Sequence, residues 1–222
     1  SIAIERSLPV PTDKQLQGIV QGAAEIKMVE DFMTVLNSIG LPLPWASREF
    51  QNREKFVGFA LNNGVVSDLF DVDDVFALAQ HHGVPTRLLD WTFHPLAAAF
   101  FAAYEADKEE PKPDGIAVWA IHLSLVHRPG SRLATLVCPR HENSFLHAQH
   151  GLFVFDTDAD QYFTFHGRWP KVEDRIGNHA TSNLMRKIIL PISEAERLLE
   201  LLDREQISLA HLMPTHDNIT RL

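Results

Sequence analysis

The sequence is short of cysteine, of basic residues and of unbroken apolar runs, and each shortage removes a class of protein. A single cysteine, Cys138, rules out an internal disulfide and any cysteine-based metal cluster, and it fits a reducing, cytoplasmic setting. A lone thiol is a nucleophile only with a histidine beside it in space; the simpler reading is a partly buried packing residue. No apolar run reaches the roughly 18 residues that crossing a bilayer requires. The longest candidate, Leu96 to Ala103, is halted by Tyr104-Glu105, so no membrane is expected as a partner. The opening Ser-Ile-Ala-Ile-Glu-Arg6 carries neither the basic nor the apolar part of a secretory leader. Lys and Arg total 20 against 29 Asp and Glu, for a formal net charge of −9. Binding to nucleic acid without sequence preference rests on clustered cations that neutralise phosphates, and no such cluster exists here. Nucleic acid is therefore not expected as a partner either. The 12 histidines are numerous, and protonation of half of them near about pH 6 would shrink the acidic balance.

What remains is the composition of an ordinary globular protein, 222 residues long, 45% hydrophobic and 22% charged. That length suits one large domain with a sizeable core, and the reading adopted is a single domain over residues 1–222. The first twenty residues, with Pro9 and Pro11, read as an extended lead-in. From Ala23 to Ile39 apolar residues recur at a helical period, and Gly40 stands where a C-cap belongs. A second helix is expected from Ser47 until Asn62-Asn63-Gly64 stops it. Asp71 is a cap candidate for a third, with Asp73 and Asp74 in its first turn, an apolar face at Val75, Phe76, Leu78 and Ala79, and Gly83 as its end. Val84 to Trp91 reads as a short strand or turn. Pro95 opens a small-residue helix, Leu96 to Ala106, apolar on most sides and therefore expected to be buried.

Beyond Ala106 the character changes. Lys108 to Asp114 is a solvated loop, Gly115 to Leu123 a strand, and Val126 to Asn143 a looser stretch. Leu152 to Phe155 and Tyr162 to Phe165 are expected to form a hairpin. Met185 to Leu190 is a further strand, halted by Pro191. The pattern Ser193-x-x-Glu196 marks a capping box for a helix that turns Leu198, Leu199 and Leu202 inward. A short last turn follows Ser208. Helices first and strands later favour an α+β fold, with N-terminal helices packed on a mainly antiparallel sheet.

The most unusual stretch is Ala79-Gln-His-His-Gly-Val-Pro-Thr-Arg-Leu-Leu-Asp-Trp-Thr92. Polar groups at Gln80, His81, His82, Thr86, Arg87, Asp90 and Thr92 stand among residues expected to be buried. Two readings are open. Arg87 and Asp90 can form a buried ion pair that organises a strand–helix junction. Alternatively His82, Arg87 or Thr92 points into a pocket at the start of the next helix, where anionic groups bind well. Buried polar clusters cost stability, which gives the second reading its weight.

This stretch, followed by Pro95-Leu-Ala-Ala-Ala-Phe-Phe-Ala102, resembles the central signature of the FRG domain. Ala148-Gln-His-Gly-Leu-Phe153 and Leu212-Met-Pro214 resemble weaker motifs of that family in the same order and spacing. The Phe/Tyr-Arg-Gly triplet that gives the family its name has no counterpart in the sequence. Ser1 to Arg6 is similar to the segment just after it, so the chain is expected to begin past that Arg-Gly strand. The resemblance implies a bacterial or phage protein of a conflict or toxin system. By a further analogy, it implies a fold and site like those of ADP-ribosyltransferases, with NAD as substrate rather than as a bound cofactor. In that scheme Thr92 resembles the strand hydroxyl, Leu96 to Ala102 the helix behind it, and Gln149 the catalytic glutamate. His82, Arg87, Asp90 and Trp91 would hold the ligand.

Physical chemistry limits that scheme. Breaking the nicotinamide–ribose bond builds oxocarbenium character, which an anionic carboxylate stabilises. Gln149 is neutral: it can grip ribose hydroxyls and cannot supply charge. Glu142, seven residues away, serves only if the intervening loop folds back. The readings carried forward are a nucleotide-binding domain similar to ADP-ribosyltransferases, catalytic only in its complete form, and, from another class, a non-catalytic module that recognises a protein or small ligand. Arg87, Thr92 and Gln149 are expected to border one cleft. His141, His147 and His150 bracket Gln149, but the stretch reads as loop running into strand, and no metal site is assigned. Trp45, Trp91, Trp119 and Trp169 are read as core or pocket wall, and His166-Gly-Arg168-Trp169 as a solvated turn.

Overall fold

The computed structural model describes residues 13–42, 73–138, 144–176 and 185–219. They fall into two compact units, the first drawn from Ser1–Thr86 and Asp156–Lys171, the second from Arg87–Phe155 and Val172–Leu222. Helices and antiparallel strands together make the fold α+β. The helix expected from Ser47 to Gly64 and the cap at Asp71 lie outside the described residues, as do His141, Glu142 and Trp45.

In the first unit, helix α1 runs over Asp13–Ser38. It starts ten residues before the expected Ala23, so the later part of the supposed lead-in is helical. Pro9 and Pro11 precede this start, and no proline follows them until Pro42, so nothing in 13–38 interrupts the backbone ladder. Ile26, Val29 and Met33 are buried at helical spacing. Gly40, at φ +75°, ends the helix as expected: its amide and that of Leu41 reach back to the carbonyls of Asn37 and Leu36. Helix α2, Asp73–His81, buries Val75, Phe76, Ala77 and Ala79. It ends in the same way at Gly83, φ +84°, where the Val84 amide returns to the Ala79 carbonyl. The Thr86 hydroxyl donates to the Gln80 side-chain carbonyl and closes the turn that follows.

In the second unit, strand β1 spans Leu89–Thr92 and helix α3 spans Pro95–Lys108. Helix α3 buries Ala97, Phe100, Ala103 and Ala106, while Leu96 stays 40% exposed. It is therefore amphipathic, not buried all round as its composition suggested. Strand β2 spans Gly115–Ile121, β3 Leu133–Leu136, β4 Gly151–Asp156 and β5 Met185–Pro191. They form two sheets: β1-β4-β3, with β1 and β4 antiparallel, and a ribbon of β2 with antiparallel β5. Helix α4, Ser144–Gln149, immediately precedes β4.

The expected hairpin is not formed. Residues 162–165 lie within helix α5, Ala159–His166, which belongs to the first unit and ends at Gly167 in a left-handed conformation. Tyr162, Phe163 and Phe165 raise strand propensity, but Asp160 in the first turn and His166 in the last suit a helix, and tertiary context overrides so short a pattern. Helix α6 covers Val172–Ile176. The capping box is also displaced. Ile192–Glu194 is a 3₁₀ turn and helix α7 is Ala195–Arg204, with Glu194 at its N-cap and no side-chain cap bond. Pro191 fixes the chain just before this turn, and the tighter turn absorbs Ser193. Leu202 is nonetheless buried, and Leu198 and Leu199 pack with it against α3 as expected. Helix α8, Leu209–Leu212, and helix α9, His216–Ile219, complete the described chain.

Among the described residues, three clusters make the core of the second unit. Leu125, Val126, Leu133, Val154 and Ile176 gather Trp91 and Met185 around them. Ala97 and Phe100 of α3 meet Leu202 and Leu212. Ala103, Ala106, Ile116 and Ala195 join α3 to the β2–β5 ribbon and α7.

Candidate functional site

From Arg87 on, the central signature comes together in the second unit with the other two segments that carried the sequence resemblance, and hydrogen bonds join them. Thr92 ends β1 opposite Gly151, the first residue of β4. Its hydroxyl donates to the backbone carbonyl of Gln149 at 2.6 Å and accepts from the His94 amide at 2.8 Å. The Phe93 amide adds a bond to the His150 carbonyl at 3.2 Å. Gln149 is the last residue of α4, and its side-chain Nε2 donates to the Leu212 carbonyl at 3.1 Å. That carbonyl closes α8, where helix geometry leaves acceptors without an internal partner. Thus the central signature is tied to the Ala148–Phe153 motif, and that motif to Leu212-Met-Pro214.

Helix α4 corrects the expectation of loop running into strand around Gln149. The reversal from helix to strand takes place at His150, which adopts φ +51°. The His94 and His150 rings lie 5.7 Å apart, edge to face, and His94 caps α3 through Nδ1. Among the described residues, no group of three histidine, cysteine or carboxylate side chains has the geometry to hold a metal ion.

A cavity of about 660 Å³ opens beside these contacts, lined by Asp90, Trp91, Thr92, Phe101, Trp119 and Gln149 together with Leu89, Ala98, Ala117, Val118 and Met213. Its volume is in the range of small-molecule sites, and its lining is mostly apolar with a few polar groups, as such sites require. The Thr92 hydroxyl has spent its proton on Gln149, which makes it a joint between β1 and α4. Among the described residues, the Gln149 side chain has one partner, the Leu212 carbonyl, and its Oε1 and second amide hydrogen suit a ligand.

Of the residues singled out from sequence, Thr92, Gln149, Asp90 and Trp91 line this cavity and Arg87 does not. The expected shared cleft is therefore formed by Thr92 and Gln149 without the arginine. His82 belongs to the first unit, where its ring meets Phe32 at 5.7 Å and His81 at 5.2 Å. The polar stretch is also less buried than expected: His81, His82 and Asp90 are exposed, and Gln80, Thr86, Arg87 and Thr92 are half-buried. Asp90 is exposed on β1, which lies at the edge of its sheet. Replacing Asp90 with alanine should then change stability by less than about 1 kcal/mol, the range of solvent-exposed interactions. Thermal melting checks this, and a loss near 3 kcal/mol, typical of an orphaned buried charge, would contradict the exposure.

Sequence reading missed Phe101, Ala117, Val118 and Met213 as cavity walls. Periodicity marks them as apolar and says nothing about whether an apolar side chain meets another side chain or open space. Trp91 and Trp119 behave as the pocket walls they were read to be.

The second unit thus defines an α+β protein with a ligand-sized cavity between an edge strand, a helix and a two-stranded ribbon. A family model described as the FRG domain matches residues 34–111, which include β1 and α3; the chain carries an FRG domain. No curated protein and no solved structure matches it. No helix among the described residues is long and apolar enough to cross a membrane.

Proposed function

We propose that the second unit binds a nucleotide of the NAD type in this cavity and does not turn it over. The observation that carries the reading is that Thr92 and Gln149, far apart in sequence, border one aromatic-walled cavity of about 660 Å³. Trp91, Trp119 and Phe101 offer faces for a planar base or nicotinamide ring. Gln149 and exposed Asp90 suit ribose hydroxyls. Turnover is not expected, because in this reading neutral Gln149 takes the place where a charge would be needed. Glu142 lies outside the described residues and keeps only its sequence-based assignment. The resemblance that led to the cavity suggests a bacterial toxin or phage-defence context.

Calorimetry with NAD, ADP-ribose and ATP, run beside an assay for released nicotinamide, tests both halves. Dissociation constants in the micromolar to millimolar range, roughly −8 to −4 kcal/mol, and no nicotinamide release are expected. Rapid release would show that a carboxylate such as Asp90 or Glu142 completes a catalytic site. Absence of binding for all three would leave the second reading, a recognition module for a protein. That reading draws on strand β5, where Ile188 and Ile189 are 61% and 66% exposed.

A further inference from the structure

We infer that Lys187 supplies the phosphate-binding charge of this cavity, the part that sequence reading gave to Arg87; the inference rests on the nucleotide reading above and deepens it. Lys187 lies on β5 directly opposite Trp119 of β2. Paired residues of an antiparallel ladder project to the same side, and residues two apart on a strand share a face. Ala117 and Trp119, both cavity-lining, therefore share their face of the ribbon with Ile189 and Lys187. The Lys187 ammonium stands 5.1 Å from the centre of the Trp119 ring. It is exposed, and among the described residues no carboxylate pairs with it. The other exposed lysines with a described partner, Lys27, Lys108 and Lys112, each meet an acid on their own helix or turn. In a chain of net charge −9, an ammonium held over a pocket wall with no carboxylate partner among the described residues suits an anionic ligand.

The chemistry of the ligand follows from what faces it. The lining residues carry one carboxylate, Asp90, and no cation. A phosphate on the Asp90 side would meet like charge, whereas hydroxyl groups would find an acceptor there. A ligand with a planar ring for the tryptophans, hydroxyls for Asp90 and Gln149, and a phosphate or diphosphate reaching out toward Lys187 satisfies every group. A nucleoside without phosphate would occupy the cavity and leave Lys187 unused. Free phosphate would use Lys187 and leave the cavity empty.

The test compares ADP-ribose, adenosine and inorganic phosphate on the unaltered chain and on Lys187→Gln and Lys187→Arg. The substitutions are at an exposed position, so folding, followed by circular dichroism, should be unchanged. Lys187→Gln should weaken ADP-ribose binding about tenfold or more, the scale of a charge-assisted bond to phosphate. It should leave adenosine unchanged, and Lys187→Arg should retain most of the affinity. Raised salt should weaken ADP-ribose binding to the unaltered chain and have little effect on the glutamine variant. If ADP-ribose binds the unaltered chain and Lys187→Gln equally well, the role of Lys187 is refuted and the nucleotide reading stands. If inorganic phosphate binds through Lys187 as tightly as ADP-ribose does, the cavity takes no part and the combined site is refuted. If neither ADP-ribose nor adenosine binds the unaltered chain, the nucleotide reading itself falls.

Discussion

Replacing Phe100 with alanine should lower stability by about 3 to 5 kcal/mol, the cost of emptying a large aromatic site in a closed core. Phe100 is 4% exposed and sits between Ala97, Leu202 and Leu212. Its ring stacks on Tyr104 at 5.2 Å and meets Phe101 edge to face at 5.5 Å. Phe101 is itself a cavity wall, so the vacancy would loosen the site as well as the core. Three separate elements, α3, α7 and α8, meet at this ring, and none of them can shift to fill the space without losing its other contacts. Denaturant unfolding followed by circular dichroism measures the change. Leu96→Ala, on the exposed side of the same helix, is the contrast and should cost less than about 1 kcal/mol. Similar losses for the two variants would mean that α3 is not docked as described.

The Thr92→Val variant addresses whether the central hydroxyl serves chemistry or architecture. Valine keeps the shape and the branching at Cβ and removes both hydrogen bonds. The Gln149 carbonyl and the His94 amide would then be left without the partner they have at 2.6 Å and 2.8 Å. Each half-buried group so orphaned costs on the order of 1 to 3 kcal/mol, so the variant should lose about 2 kcal/mol or more. Ligand affinity should fall with it, since Gln149 is carried on the same joint. Thr92→Ser retains the hydroxyl and should stay within about 1 kcal/mol of the parent. A Thr92→Val protein that melts normally but fails to bind nucleotide would assign the hydroxyl to the ligand instead. In the present geometry the architectural role comes first, because the proton of the hydroxyl already points at a protein carbonyl.

Much of the helical framework was legible because its signals are local. The period of Ile26, Val29 and Met33, the glycines at 40 and 83, and proline at the start of α3 act within one or two turns. Pairing is different. Residues 162–165 read as a strand because aromatic residues suit a pleated surface, yet strand pairing needs a partner at a matching register. Gly151–Asp156 found partners on both of its edges, in Leu89–Thr92 and β3, leaving no open edge of β4 for the aromatic run to pair with. The capping box at Ser193 failed for a related reason. Its spacing was sound, but Pro191, ending a strand paired to Gly115, set where the chain could begin to turn.

For the candidate site, the sequence alone marked the segments that the fold brings together. A long signature at 80–92, the Gln149 motif and Leu212-Met-Pro214 were recognisable as residues, and the structure places Thr92, Gln149 and the Leu212 carbonyl in one chain of hydrogen bonds. The tertiary structure alone decided which side chains face the cavity and which charge stands near it. Arg87, three residues from Asp90, is absent from the lining, while Lys187, almost a hundred residues away, lies over the Trp119 wall. The physical reason is that side-chain direction along a strand alternates with every residue, and register with a distant strand sets which residues meet. Neither quantity is encoded in a local pattern; both follow from long-range pairing, which in this chain brought β5 beside β2 and turned an unremarkable lysine toward a pocket wall.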